Sequence, residues 1–180
     1  MQLYSYLRDN LLSQKQFGFR LNSSTVTASA MFTDKIPLAM DKGQLTGAVY
    51  IDLTKAFVMV NHSILLSKLC SLGVLNVSPA YNWLESYLSN RCQVTVCNGI
   101  KSSPETVQIG LPQGSVLGPL LFTMYNNDLP DYLEHCDVTL YADDTVLFIS
   151  DKSLHNIKSY MKSDLEKLNT ELAEVKSLDA

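Results

Sequence analysis

"VTLYADDTVLFI", residues 138–149, sets two carboxylates, Asp143 and Asp144, between two runs of strand-forming residues. Val138, Leu140, Val146 and Phe148 have the β-branched, apolar or aromatic character of buried or half-buried strand positions. Ionised Asp is costly to bury without a partner, so the pair fits a tight turn joining two antiparallel strands. Asp is also a common turn residue, because it tolerates unusual dihedrals and bonds its own backbone. On these residues alone, a plain turn and an acid-bearing site both remain open. Like charges this close raise each other's pKa unless a cation joins them. A divalent ion such as Mg²⁺, which prefers carboxylate oxygens, would resolve the conflict.

A third carboxylate is then expected on a neighbouring strand. "TGAVYIDL", residues 46–53, reads as a buried strand and carries Asp52 near its end. The alternative for Asp52 is a cap on a turn beginning at Thr54. Three Asp on adjacent strands suit two-metal phosphoryl transfer. In "GLPQGSVLGP", Gly110, Gly114 and Gly118 remove side chains where backbone could approach a ligand, and Gln113 and Ser115 add hydrogen-bonding groups. A loop with Gly and Pro for its turns explains the same stretch equally well.

Outward from these segments the pattern alternates between helix and strand. Residues 1–10 read as a helix and "QKQFGFRLNSST" as a loop. Ser23 or Ser24 caps a helix running toward Met40 and ending at Gly43, with Pro37 expected to kink or shorten it. "NHSILLSKLCSLG" and "SPAYNWLESYL" are helices, the second with Ser78 as cap and Pro79 at its first position. "QVTVCNGIKSSPETVQI" reads as a hairpin turning at Asn98-Gly99. "GLPQGSVLGPLLFTMYNNDL" is a loop entering an apolar helix. From Ser153 a helix presents Leu154, Ile157, Met161, Leu165, Leu168, Leu172 and Val175 as a stripe, and Asp164 and Glu171 spoil a strict heptad. Two hairpins favour an antiparallel sheet with helices on one face, an α+β architecture.

The 180 residues suffice for one domain with a real core. Hydrophobic residues make up 46% and charged residues 18%, a globular composition. There is no run of about 18 apolar residues and no apolar signal core, so an intracellular chain with no membrane span is expected. The net charge of −4 argues against free-standing affinity for nucleic acid. Cys70, Cys92, Cys97 and Cys136 form no CxxC pair and read as buried free thiols.

Taken together and in this order, the stretches resemble the reverse transcriptases of LINE-type (non-LTR) retrotransposons. "YADD" at 141–144 looks like the family's metal-binding hairpin, "IDLTKAF" at 51–57 like its first metal-binding strand, and "GLPQGSVLGPLLF" at 110–122 like its substrate loop. "QFGFRLNSST" at 16–25 and "LSNRCQVTV" at 88–96 match flanking segments, and the similarity runs to about residue 170. The resemblance implies a single partial domain, a right-hand polymerase palm with part of the fingers. Residues 1–45 would be fingers and connecting helices, and 46–180 mainly palm with an insertion at 74–109; no thumb is expected.

The resemblance also carries over roles. Asp52, Asp143 and Asp144 would be catalytic metal ligands, joined by the Leu53 carbonyl, for two Mg²⁺ ions that Mn²⁺ could replace. Backbone at Lys55 and Ala56 would face the deoxynucleoside triphosphate, with Gln113 beside it. Phe57 would be the steric gate against a 2′-hydroxyl. Tyr141, Gly114 and Arg20 would meet nucleic acid, an RNA template with a DNA primer. The family often has Asp where Val58 and Asn61 stand, Asn126 replaces a usual aliphatic, and Pro37 interrupts a helix the family keeps intact. The upstream finger segment and a Lys-containing motif after the last helix have no match here, so the isolated chain is expected not to extend a primer. A non-catalytic remnant or adapted binding module is the alternative. An RNA-copying RNA polymerase is more distant, since those usually carry Gly where Ala142 stands and select for the 2′-hydroxyl that Phe57 should reject.

Overall fold

Ser24 starts the first helix of the computed structural model, which describes residues 12–53, 55–74 and 78–177, with side chains through 171. The helix expected over residues 1–10, and Leu172 and Val175 of the last apolar stripe, lie outside those described residues and side chains. Ser24 Oγ accepts the Thr27 N–H while Thr27 Oγ1 accepts the Ser24 N–H, a reciprocal cap on α1 (Thr25–Thr33). The helix does not continue to Met40. It stops at Asp34, and α2 (Lys35–Asp41) begins after it. Pro37 is thereby the third residue of α2, where an N–H has no intrahelical partner to lose. Pro37→Ala is expected to change unfolding free energy by less than about 1 kcal/mol in chemical denaturation, against about 3 kcal/mol for an interior proline. A larger change would mean that the two helices act as one.

The chain continues through β1 (Leu45–Asp52), a 3₁₀ turn (Ala56–Met59), α3 (His62–Ser71) and α4 (Pro79–Leu88). Four short strands follow: β2 (Arg91–Gln93), β3 (Val96–Cys97), β4 (Ile100–Lys101) and β5 (Glu105–Val107). Then come α5 (Gly118–Tyr125), a 3₁₀ turn (Leu129–Tyr132), β6 (Asp137–Tyr141), β7 (Asp144–Asp151) and α6 (Leu154–Ser177). These elements form two compact units, one from residues up to 54 and from 126 onward, the other from 55–125.

In the first unit the sheet order is β1-β7-β6, antiparallel throughout. Val49 and Ile51 of β1, Val138 and Leu140 of β6, and Leu147 of β7 pack with Ile157, Met161 and Leu168 of α6. Gly47 lets α6 come close: a Cβ there would stand 2.6 Å from Ile157 Cγ2. The other face is covered too. Phe32 of α1 packs on Phe148 at 5.0 Å and on Tyr50 at 6.4 Å between ring centroids. Helices therefore flank both faces, which corrects the expectation of one. The physical reason is that β7 offers apolar side chains on both sides, and Phe32 covers the second. β1 is half-buried and alternating rather than buried, because it is an edge strand of the sheet.

Asp164, which interrupts the apolar stripe of α6, is 0% exposed. It accepts the N–H groups of Glu134 at 3.3 Å, His135 at 2.9 Å and Cys136 at 2.7 Å, and contacts His135 Nδ1 at 3.2 Å. Burial pushes its carboxyl up, but the N–H groups of Cys136 and His135 outweigh that and hold it at about 2. The depressed value means that the ionised group's contribution to stability is complete above the ordinary value of 3.8 and is lost as pH falls toward 2. That contribution is about 2 kcal/mol. The destabilisation caused by Asp164→Asn, measured by denaturant unfolding, is expected to shrink by that amount between pH 5 and 2, in the window these values set. A penalty independent of pH would refute the buried-anion account.

In the second unit, Asn61 Oδ1 caps α3 by accepting the Ile64 N–H at 2.9 Å, and Ser78 Oγ caps α4 through the Tyr81 N–H at 3.2 Å. The expected hairpin is present as two short ladders, β2 with β5 and β3 with β4. Asn98 and Gly99 both take positive φ at its tip, as a two-residue turn requires. Leu65, Leu69, Leu84, Leu88, Leu121 and Phe122 are buried in this unit. Cys92 and Cys97 are exposed and Cys70 is half-buried, so only Cys136 answers to the expectation of buried thiols. The short β2 and β3 ladders leave both of their cysteines uncovered. Among the described residues, no helix is long and apolar enough to cross a membrane.

Candidate active site

β6 and β7 are joined by two residues, Ala142 and Asp143, with Tyr141 and Asp144 as the last pair of the ladder. Ala142 lies in the left-handed region, at φ +56°. On the other side of β7, Asp52 is the register partner of Asp144. Side chains directly opposite in an antiparallel pair share one face about 5 Å apart. Both residues are exposed and both line a cavity of about 520 Å³, together with Ser29, Phe32, Thr139 and Tyr141. The acids among apolar strands are therefore not buried in the core. They stand at the open end of the sheet, on the face away from α6.

This arrangement concentrates charge. Like charges directly opposite on a sheet destabilise it, and two facing carboxylates offer hard oxygens to a shared divalent ion. Thr139 Oγ1, buried and without a hydrogen-bond partner among the described residues, lines the same cavity and supplies a polar atom that an occupant could satisfy. Asp143 is half-buried in the turn and is not among the lining residues. Among the described residues, no three His, Cys, Asp or Glu side chains gather as a metal cage. The structure thus brings Asp52 and Asp144 together and does not collect Asp143 with them. Leu53 follows directly on Asp52. The turn beginning at Thr54, on which the capping alternative for Asp52 falls, lies outside the described residues.

Two residues that sequence reasoning passed over hold the turn from behind. Lys15 O accepts the Leu140 N–H at 2.9 Å and Phe17 N–H donates to Leu140 O at 2.8 Å, adding a short parallel bridge to β6. Between them Gln16, 2% exposed, turns inward. Its Oε1 accepts the N–H of Gly18 at 2.7 Å and of Ala142 at 3.1 Å, and its Nε2 donates to Ala142 O at 3.4 Å. Gly18 lies flat against the same turn: a Cβ there would be 2.1 Å from Ala142 N. The only sequence signal was a glycine in a polar loop. Arg20 Nη1 donates to the carbonyls of Ser13 at 2.6 Å and Gln16 at 3.2 Å, so it braces this loop.

The residues assigned to the nucleotide by resemblance fall in the second unit. Lys55 is exposed with φ +57°. Ala56 and Phe57 open the 3₁₀ turn, and the Phe57 ring stacks on Phe122 with centroids 4.3 Å apart and planes 17° from parallel. The Leu111 N–H donates to Phe57 O at 2.8 Å, and the Gly110 N–H donates to Val60 O at 2.7 Å, tying the Gly-rich loop to this turn. Gly110 has φ +88°, and a Cβ there would stand 2.7 Å from Val58 O. Gln113 and Gly114 are exposed, and the space above Gly114 is open.

Residues 1–178 match the family model described as reverse transcriptase (RNA-dependent DNA polymerase). Over 147 residues the chain is 37% identical to the probable RNA-directed DNA polymerase from transposon BS of Drosophila melanogaster, covering 78% of this chain and 16% of that protein. It is 30% identical over 151 residues to the probable RNA-directed DNA polymerase from transposon X-element of the same species, covering 84% and 16%. Against the RNA-directed DNA polymerase from mobile element jockey, also of that species, identity is 32% over 146 residues, covering 77% and 16%. The chain spans about a sixth of the length of these relatives. With its acid-bearing hairpin, its partner strand and a match over nearly its whole length, the chain belongs to the reverse transcriptase family, on the side of the LINE-type, jockey-like elements.

Proposed function

We propose that this chain is the acid-bearing segment of an RNA-directed DNA polymerase. The whole enzyme would add deoxynucleotides to a primer 3′-hydroxyl as it copies an RNA template. The observation that carries the reading is Asp52 facing Asp144 at an open cavity, in a chain of this family. The β1-β7-β6 sheet would be the palm, with fingers in residues 1–45 and an insertion at 74–109. Asp52 and Asp144, with Asp143 and the Leu53 carbonyl, would hold two Mg²⁺ ions, or Mn²⁺ in their place. When bound, such ions lower the pKa of an attacking hydroxyl and stabilise charge on a triphosphate.

The protein's own residues would do the positioning. Tyr141 and the unpartnered Thr139 hydroxyl give the cavity groups suited to the end of a primer. Lys55 and Ala56 would meet the triphosphate through their backbone, with Gln113 and Gly114 beside the incoming nucleotide or template. Phe57, held face-on by Phe122, has the rigidity that a gate under the sugar needs. Arg20 keeps its place among nucleic-acid contacts only through the loop it braces.

The test is to place this chain in the corresponding stretch of one of the Drosophila relatives and measure deoxynucleotide incorporation on an RNA template. Incorporation is expected with Mg²⁺, and Phe57→Ala should admit ribonucleotides while keeping much of the deoxynucleotide activity. The isolated acidic chain should extend no primer at physiological salt, since phosphate contacts supply most affinity for nucleic acid. A chimera that folds and binds primer-template yet incorporates nothing across a range of Mg²⁺ and Mn²⁺ would overturn the reading. It would favour a second one, a non-catalytic remnant or adapted binding module, which draws on Asp143 lying outside the cavity that Asp52 and Asp144 line.

A further inference from the structure

We propose that Gln16 is a positioning residue for the acid-bearing turn. Its amide holds Ala142 in the left-handed conformation that directs Asp143 and Asp144. The proposal rests on the reading of that turn as a divalent-ion site.

Three observations converge on it. Gln16 is 2% exposed, and a buried amide persists where its polar atoms are satisfied. Its oxygen faces two N–H donors, of Gly18 and Ala142, which settles the orientation of the amide. Its nitrogen then reaches the carbonyl of the same Ala142. One side chain thus grips both backbone polar groups of the residue with φ +56°. An alanine in this region is disfavoured and persists only where its surroundings over-determine it. The peptide leaving Ala142 leads directly into Asp143, so a rotation there would swing that carboxylate and shift the start of β7. Gly18 completes the grip by leaving no Cβ between the loop and the turn.

A residue that only holds the fold together would loosen the whole unit when lost. A positioning residue should loosen the turn and weaken the ion, leaving α6 as it was. The experiment uses the full 180-residue chain as wild type, Gln16→Leu and Gln16→Glu. Leu keeps the bulk without polar atoms; Glu keeps an oxygen for both N–H groups, loses the donor and adds a negative charge that those N–H groups face. Amide hydrogen exchange is read at Ala142–Asp144 and along α6, and Mn²⁺ binding is read by water-proton relaxation.

Gln16→Leu is expected to speed exchange in the turn by about tenfold or more, with α6 unchanged, and to weaken Mn²⁺ binding by about tenfold. Gln16→Glu should restore slow exchange and bind Mn²⁺ at least as well as wild type, since it adds negative charge. Exchange that rises equally in the turn and α6, or Mn²⁺ binding that is unmoved while the turn loosens, overturns the proposal. If Gln16→Leu does not fold, Gln16→Asn, polar but one methylene too short, takes its place under the same outcomes. Asp144→Asn serves as the control: if it leaves Mn²⁺ binding intact, the divalent-site reading itself has failed. The exchange arm then still decides whether Gln16 holds the turn.

Discussion

Asp144→Asn, in a Drosophila relative carrying this segment, is expected to cut deoxynucleotide incorporation by a factor on the order of 10³ or more. The reasoning starts from the register. Asp144 and Asp52 stand opposite each other at the open end of the sheet. An amide of the same shape keeps the strand pairing and removes one of two facing charges, so it should leave the fold's stability unchanged or raise it by a few tenths of a kcal/mol. It also weakens the oxygen donor set that the proposed chemistry depends on. Charge stabilisation of this kind is worth several kcal/mol, and about 4 kcal/mol corresponds to roughly 10³ in rate. Asp52→Asn should behave alike. The paired result, activity lost and stability kept, separates a functional acid from a structural one. Incorporation within about tenfold of the parent in either variant would contradict the mechanism.

Gly18→Ala is the substitution expected to cost most in stability, about 3 kcal/mol or more by denaturant unfolding. The added Cβ would meet Ala142 N at 2.1 Å, Ala142 Cα at 2.8 Å and the Tyr141 carbonyl carbon at 3.0 Å. All three are main-chain atoms of the turn, which cannot swing aside as a side chain could. Gly43 supplies the control. Its φ is +64° with nothing within 4 Å, so Gly43→Ala meets only the left-handed backbone penalty, about 1 kcal/mol. If the two substitutions cost the same, the loop and the turn do not touch as described.

The parts of this fold that were legible beforehand are those whose information is local. Alternating apolar residues with two Asp between them gave the β6–β7 hairpin, Ser78-Pro79 the start of α4, and Asn98-Gly99 a turn with two positive φ angles. The place of Asp52 at the end of β1 was legible too, because it closes a strand-like run. What stayed hidden depends on partners far along the chain. Gln16 reaches a turn 126 residues away, and no periodicity encodes that distance. Asp164 read as a flaw in an apolar stripe because its partners are backbone N–H groups, which every sequence offers everywhere. The helices on both faces of the sheet were missed for a similar reason. Phe32 signals that α1 has something to bury, but not against which surface.

The strand order β1-β7-β6 also bears on when the acids meet during folding. β6 and β7 are neighbours in the chain, and such a hairpin closes in about 1–10 μs. β1 must join β7 across the whole of the second unit, a separation of about ninety residues at Asp52 and Asp144. Closing that larger loop costs more chain entropy, and pairings so distant slow folding. The hairpin can therefore exist, with its own two Asp in place, before Asp52 arrives. On a growing polypeptide the order is stricter still, because β1 leaves the ribosome long before β7 has been made. Until then its last residue waits without its cross-strand partner.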